Sequence, residues 1–337
     1  MGVVGSYCSR LTEGIGSGWR RFWFTPSDPL PLCALRIAVG LVALYYVASF
    51  TTDLNVWFAD DGLLPAQVVR SLTGADDPGL SGPAEYRFSY LYYLDTPGEL
   101  WAAHLAGLVV VAAFTLGLAS RVTSLLSLVV VLSYVNRAPM ISGPLEPVLS
   151  MALLYLCIAP TGARLSIDRL LSRARQRANP PTAAQPQPDS RLSIAATISV
   201  RLIQVHLAGF YAVMVLNQLG GLIDFPYSGT WWRGEAVWWL IARPESRLVD
   251  LTFLYSAPYL INAWTHAIVL FELAFPILVW NRLARPLLLA LAVPIWGSLA
   301  LASGEVSFCA MMLVANLAFL SPEALRGVGA WALRRPQ

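Results

Sequence analysis

The feature that most constrains this chain is a series of eight apolar runs, at about residues 30–50, 101–118, 122–135, 145–160, 195–218, 262–280, 286–303 and 306–320. A helix that crosses a bilayer needs about 20 mostly apolar residues. The third, fourth and eighth runs are short by that measure, and the others reach or approach it. A water-soluble fold has no place for so much apolar surface. Of the 337 residues 56% are hydrophobic and 13% charged, whereas a soluble domain carries roughly 25% charge. The expected fold is all-α: a polytopic transmembrane helical bundle with about eight spans.

The basic residues orient it. All 23 are arginine, so no lysine serves as a general base or Schiff-base nucleophile. Cytoplasmic loops of membrane proteins carry the excess of positive charge. With the N-terminus inside, 15 arginines fall on inner segments, 6 on outer ones, and Arg36 and Arg201 lie in spans near their inner ends. This predicts N-in, C-in in an inner, cytoplasmic membrane, with an even number of spans. The first run follows Arg20–Arg21 without a small-residue cleavage site and reads as an uncleaved anchor. The basic and aromatic stretch 19–24 suits the membrane interface.

The expected organisation is an interfacial N-terminal segment (1–29), a transmembrane domain (30–320) and a cytoplasmic tail (321–337). Segment 161–194 interrupts the domain on its inner side. Leu165 to Arg177 reads as a basic amphipathic helix suited to anionic headgroups, and 179–189 as a Pro-rich linker joining two halves of one bundle.

Cys8, Cys33, Cys157 and Cys309 show no CxxC spacing and read as small apolar residues. His104, His206 and His266 form no zinc signature, and no metal site is expected. The outer segment 51–100 is acidic and includes Asp60–Asp61, a solvated loop, a cap or a cation site. The outer segment 219–261 is aromatic, with Trp231, Trp232, Trp238 and Trp239. These form an interfacial belt or wall a pocket for a flat hydrophobic ligand.

Polar groups inside spans need a partner or a function. Glu272, in the sixth run, either pairs with Arg36 or carries a proton or touches a ligand. In the fifth run Gln204, Tyr211 and Gln218 share one stripe, with His206 and Asn217 near the opposite one. Interhelical hydrogen bonds explain most of these, but Asn217 and Gln218 lie at the outer end beside the aromatic segment. Arg137 and Glu146 flank a Pro/Gly-rich turn and either pair together or contribute to a site. The candidate ligand-binding residues are thus Asp60, Asp61, Arg137, Asn217, Gln218 and Trp232, and the catalytic candidates Glu272 and His206.

The order of certain motifs resembles the HTTM domain, the transmembrane domain shared by bacterial proteins and vitamin K-dependent γ-glutamyl carboxylase. The residues that carry the likeness are Leu35-Arg-Ile-Ala-Val-Gly-Leu41, Phe58-Ala-Asp-Asp-Gly-Leu-Leu-Pro65, Asn136–Arg137 with Gly143, Ala163-Arg-Leu-Ser-Ile-Asp-Arg169, Phe271-Glu-Leu-Ala-Phe-Pro276 and Phe319-Leu-Ser-Pro-Glu323. Together they cover about residues 20–325. In the carboxylase, the resemblance implies, a lysine deprotonates vitamin K hydroquinone. The family's paired lysines fall here on Asn217 and Gln218, neither of which is a general base, and a histidine of the penultimate span falls near Trp296.

The expected function is that of a non-carboxylating relative that binds a quinone or lipid, or assists a secreted peptide or protein partner, at the outer face. The alternatives are a quinone-dependent membrane enzyme with a non-lysine base and a structural subunit of a membrane complex. Nothing calls for nucleic acid as a partner.

Overall fold

A computed structural model describes residues 3–72, 88–94, 96–178, 192–218, 229–243 and 248–333. Among the described residues 77% are helical and none forms a strand. All eight apolar runs are helical. Five helices are long and apolar enough to cross a membrane: α2 (Leu30–Ala48), α5 (Pro97–Leu116), α9 (Ile194–Gln218), α11 (Pro258–Leu278) and α12 (Ala284–Ser303). The helices α6 (Ser120–Arg137), α7 (Leu145–Ile158) and α13 (Val306–Asn316) account for the other three runs. The remaining helices are α1 (Val3–Phe24), α3 (Leu54–Phe58), α4 (Ala66–Leu72), α8 (Ile167–Ala178), α10 (Ala236–Ile241) and α14 (Pro322–Leu333). The expected basic helix is α8. The Pro-rich linker lies outside the described residues, as do Asp76, Asp77, Glu85 and Asp95 of the acidic segment.

The chain divides into two compact units, residues 1–202 with 321–337, and residues 203–320. In the first, α2 packs on α5 and α7, and α6 packs on α5 and α7. Local chemistry sets the helix ends. The Asp28 carboxylate accepts from the Leu30 amide at 3.0 Å and starts α2. Thr96 and Glu99 form a reciprocal capping box at the start of α5, which satisfies two of its orphan amides. At its other end α5 stops on Gly117 in the left-handed region (φ 72°).

That end of the unit is organised by Arg36, whose guanidinium is fully buried. Nη1 donates to the Thr161 carbonyl at 2.9 Å and Nη2 to the Leu165 carbonyl. A side chain at Gly117 would run into this guanidinium, because its Cβ would overlap Nη1. Arg36 is therefore committed to loop carbonyls. The Glu272 carboxylate lies in the other unit and has no hydrogen-bond partner of normal geometry among the described residues.

Asp168, in the first turn of α8, ties the same loops to α6. It accepts from the Ala119 amide (2.8 Å), the Ser120 amide (2.9 Å) and the Ser120 hydroxyl (2.8 Å). It thus acts as a cap supplied from another helix, set at the positive end of the α6 dipole. Burial alone raises its pKa, but these hydrogen bonds and the nearby Arg36 charge outweigh it and hold the carboxyl below its usual range. A carboxyl depressed on folding contributes stability that is present above its unfolded pKa and lost as pH falls through the folded one. The detergent-solubilised protein should therefore lose thermal stability on acidification below about pH 4. Asp168→Asn should be less stable at neutral pH and show a flatter acid limb in a pH series of melting curves. An unchanged limb would sink the assignment.

The second unit holds the later part of α9 with α10 to α13. Helices α10 and α12 both pack on α11, and α13 packs on α12. Helices α11 and α12 contain Pro276 and Pro294, as lipid-embedded helices tolerate.

Candidate functional site

In the first unit the candidates gather at the end opposite Arg36. Tyr134 and Arg137 are one turn apart on α6 and share a face. Tyr134 and His104 are both fully buried. The Tyr134 hydroxyl lies 2.7 Å from His104 Nδ1, and Thr51 Oγ1 lies 2.9 Å from Nε2. A neutral imidazole has one donor and one acceptor nitrogen, and a hydroxyl can fill either part. The chain Thr51–His104–Tyr134 is thus satisfied in either tautomer. Phe50 stacks on Tyr134 at 5.1 Å and Phe58 meets it edge-on at 5.8 Å.

Arg137, the last residue of α6, is 1% exposed. Its guanidinium sits 5.4 Å from the Phe58 ring centre and 5.3 Å from that of Tyr92. Among the described residues its one hydrogen bond is a long one, from Nη2 to the Phe58 carbonyl at 3.4 Å, and Nε and Nη1 find no partner. The expected alternative, a pair with Glu146, is not formed. Glu146 lies in the first turn of α7 and folds back onto the preceding turn, accepting from the Gly143 amide at 2.8 Å. Phe58 also borders a cavity of about 140 Å³, together with Asp60, Asp61, Leu94, Thr96 and Leu100. Asp60 and Asp61 are exposed, and Asp60 acts electrostatically on Arg137. Among the described residues no group of three His, Cys, Asp or Glu side chains is placed to hold a metal.

The second unit contains a different constellation. Tyr211 of α9 is fully buried and stacks on Phe275 with ring centres 4.1 Å apart. Its hydroxyl accepts from Trp296 Nε1 at 2.8 Å and from Asn316 Nδ2 at 3.2 Å, which joins α9, α12 and α13. Gln204, on the same stripe of α9, donates to the Ala318 carbonyl at 2.7 Å. The bland reading of that stripe, interhelical hydrogen bonding, therefore holds for Gln204 and Tyr211. Glu272 is 0% exposed with neither carboxyl oxygen hydrogen-bonded. Its polar neighbour is the Gln218 side chain, which reaches it without closing a bond of normal geometry.

The structure thus brings Asp60, Asp61 and Arg137 to one place and Gln218 and Glu272 to another. Asn217 and His206 are exposed on α9, and Trp232 is 54% exposed. The Trp232 contact of note is through its backbone: the carbonyl faces His266 Nε2 at 3.1 Å. Sequence reasoning missed His104 and Tyr134. A histidine inside an apolar run carried the signal, since a buried imidazole needs partners.

The Tyr211 junction yields a direct prediction. Tyr211→Phe leaves two buried donors, Trp296 Nε1 and Asn316 Nδ2, without an acceptor, and should destabilise the protein by about 1–3 kcal/mol. Tyr259→Phe, at a position 90% exposed, should leave the melting temperature unchanged. Equal melting curves for the two variants would contradict the junction.

Compared with known proteins, the chain matches no family model, no curated protein and no solved structure.

Proposed function

We propose that this chain is an HTTM-like integral membrane protein that binds a ligand with a flat apolar body and a carbonyl or anionic head, a quinone or lipid, at the outer ends of its helices. The reading takes the eight apolar runs as eight spans, with both termini on the cytoplasmic side. The arginine distribution and the presence of a helix at every run support it. The carrying observation is Arg137. A guanidinium 1% exposed, with Nε and Nη1 unpartnered, is costly in a low-dielectric site unless an acceptor arrives. Its planar fork matches a carbonyl or anionic oxygen. Phe58 and Tyr92 supply flat faces beside it, and the cavity at Asp60–Asp61 offers adjoining space.

The experiment is extraction of the purified protein with organic solvent, followed by mass spectrometry of the released quinones and lipids. Wild type should release one ligand class close to stoichiometrically. Arg137→Gln should retain it at least roughly tenfold less well, the loss expected for a hydrogen bond to a charged donor. If wild type releases no quinone or specific lipid, and none binds when added, the proposal fails.

A second reading, a quinone-dependent enzyme with a non-lysine base, is favoured by one observation, the unpartnered buried carboxyl of Glu272. An acid in this setting is poised to hand a proton to a ligand oxygen or take one from it. On this reading Glu272→Gln abolishes oxidation of an added quinol while protein abundance stays at the wild-type level. A variant that changes abundance alone removes the enzyme reading.

A further inference from the structure

The first helix, α1, belongs to neither constellation described above. The sequence marks only its basic and aromatic stretch 19–24, yet the helix begins at Val3. Tyr7, Leu11, Ile15 and Trp19 follow at four-residue intervals, which puts them on one stripe at 3.6 residues per turn. They are 66%, 48%, 63% and 61% exposed. The charged residues lie elsewhere around the axis. Arg10 and Arg21 are eleven residues apart, about three turns, and share a line that borders the stripe. The helix carries three arginines against one glutamate, Glu13, and all four are exposed.

Around its middle the helix stands clear of the other described residues. A Cβ placed on Gly14 or Gly18, on the stripe side, or on Gly16, opposite, would meet nothing within 4 Å. Three glycines so close together weaken an isolated helix, so a helix here needs a surface to lie on. Two observations say which surface. The Arg201 guanidinium sits 4.4 Å from the Phe22 ring centre, which ties the end of α1 to the start of α9 within the first unit. Phe24 is six residues from Leu30, where α2 begins, and α2 is long and apolar enough to cross a membrane. Six residues reach about 20 Å at most, so α1 stays beside the leaflet at which α2 starts.

From this juxtaposition we infer that α1 lies in the plane of that leaflet as a surface anchor for anionic phospholipid. The stripe from Tyr7 to Trp19 enters the boundary between headgroups and acyl chains, where an amphipathic helix gains most from burying its apolar face. Arg10 and Arg21, at the edge of the stripe, reach the lipid phosphates with their long side chains. The anchor is independent of the ligand proposed at Arg137.

Hydrogen exchange of the full chain, read by mass spectrometry in nanodiscs of dioleoyl phosphatidylglycerol or dioleoyl phosphatidylcholine, tests the inference. The amides of residues 7–21 in wild type should exchange roughly tenfold or more slowly in phosphatidylglycerol, the factor that two interfacial arginines supply. Arg10→Gln/Arg21→Gln should bring the two lipids to the same rate. Should that pair prevent folding, Leu11→Ser/Ile15→Ser tests the apolar half and should speed exchange in phosphatidylglycerol to the wild-type rate in phosphatidylcholine. Equal exchange of wild type in the two lipids, an undiminished lipid preference in the arginine pair, or undiminished protection in the Leu11/Ile15 pair overturns the proposal. So does protection that rises with protein concentration in detergent, which would place the stripe against a second copy of the chain.

Discussion

The first unit depends on one buried cation. Removing a guanidinium from water is expensive, and Arg36 is tolerated because loop carbonyls surround it. Each requirement of that arrangement is visible in neighbouring residues. Gly117 lacks a side chain where the guanidinium passes. Leu165 adopts a left-handed backbone that turns its carbonyl inward. Thr161 presents a second carbonyl from the loop after α7. Once these loops are fixed, Asp168 is in position to cap α6, and α8 leaves the bundle in a defined direction. Arginine serves here where lysine would not, because its fork reaches two carbonyls on different turns at once.

The two buried polar groups left with unpartnered atoms at Arg137 and Glu272 differ in kind. Arg137 sits at a helix end among aromatic rings, beside a cavity and an exposed acidic turn, in a setting that can admit a ligand from outside. Glu272 sits within α11, with the Gln218 amide as its polar neighbour, in a setting that can hold a proton with little solvent. Both groups are buried without satisfying their hydrogen-bonding capacity, which is the condition under which polar residues in membranes are worth assigning to function.

Much of this was legible in the sequence. Apolar length alone marked α2, α5, α6, α7, α9, α11, α12 and α13, because each is written in a nearly unbroken apolar run, while the 22-residue α1 left no such mark. The basic helix after α7 was readable for the complementary reason: its charges recur at helical spacing. What sequence could not supply was pairing. Glu272 and Arg36 looked like natural partners, as did Arg137 and Glu146, because opposite charges in apolar context attract. Arg36 turns Nη1 and Nη2, and Glu146 its carboxylate, to backbone groups instead, and backbone groups leave no trace in residue identity. His104 signalled a need for partners, but that Tyr134 is one of them was unreadable for a related reason. Their contact joins residues 30 positions apart, and no spacing rule within one helix announces a bond between two helices.

One rod carries both ends of the first unit. Helix α6 starts beneath Asp168 and finishes at Arg137, with 18 residues between and including Ser120 and Arg137, about 27 Å at helical rise. The carboxylate that caps the foot of this helix and the aromatic seat of the guanidinium at its head are therefore two ends of one rigid element, and the position of one fixes the distance to the other.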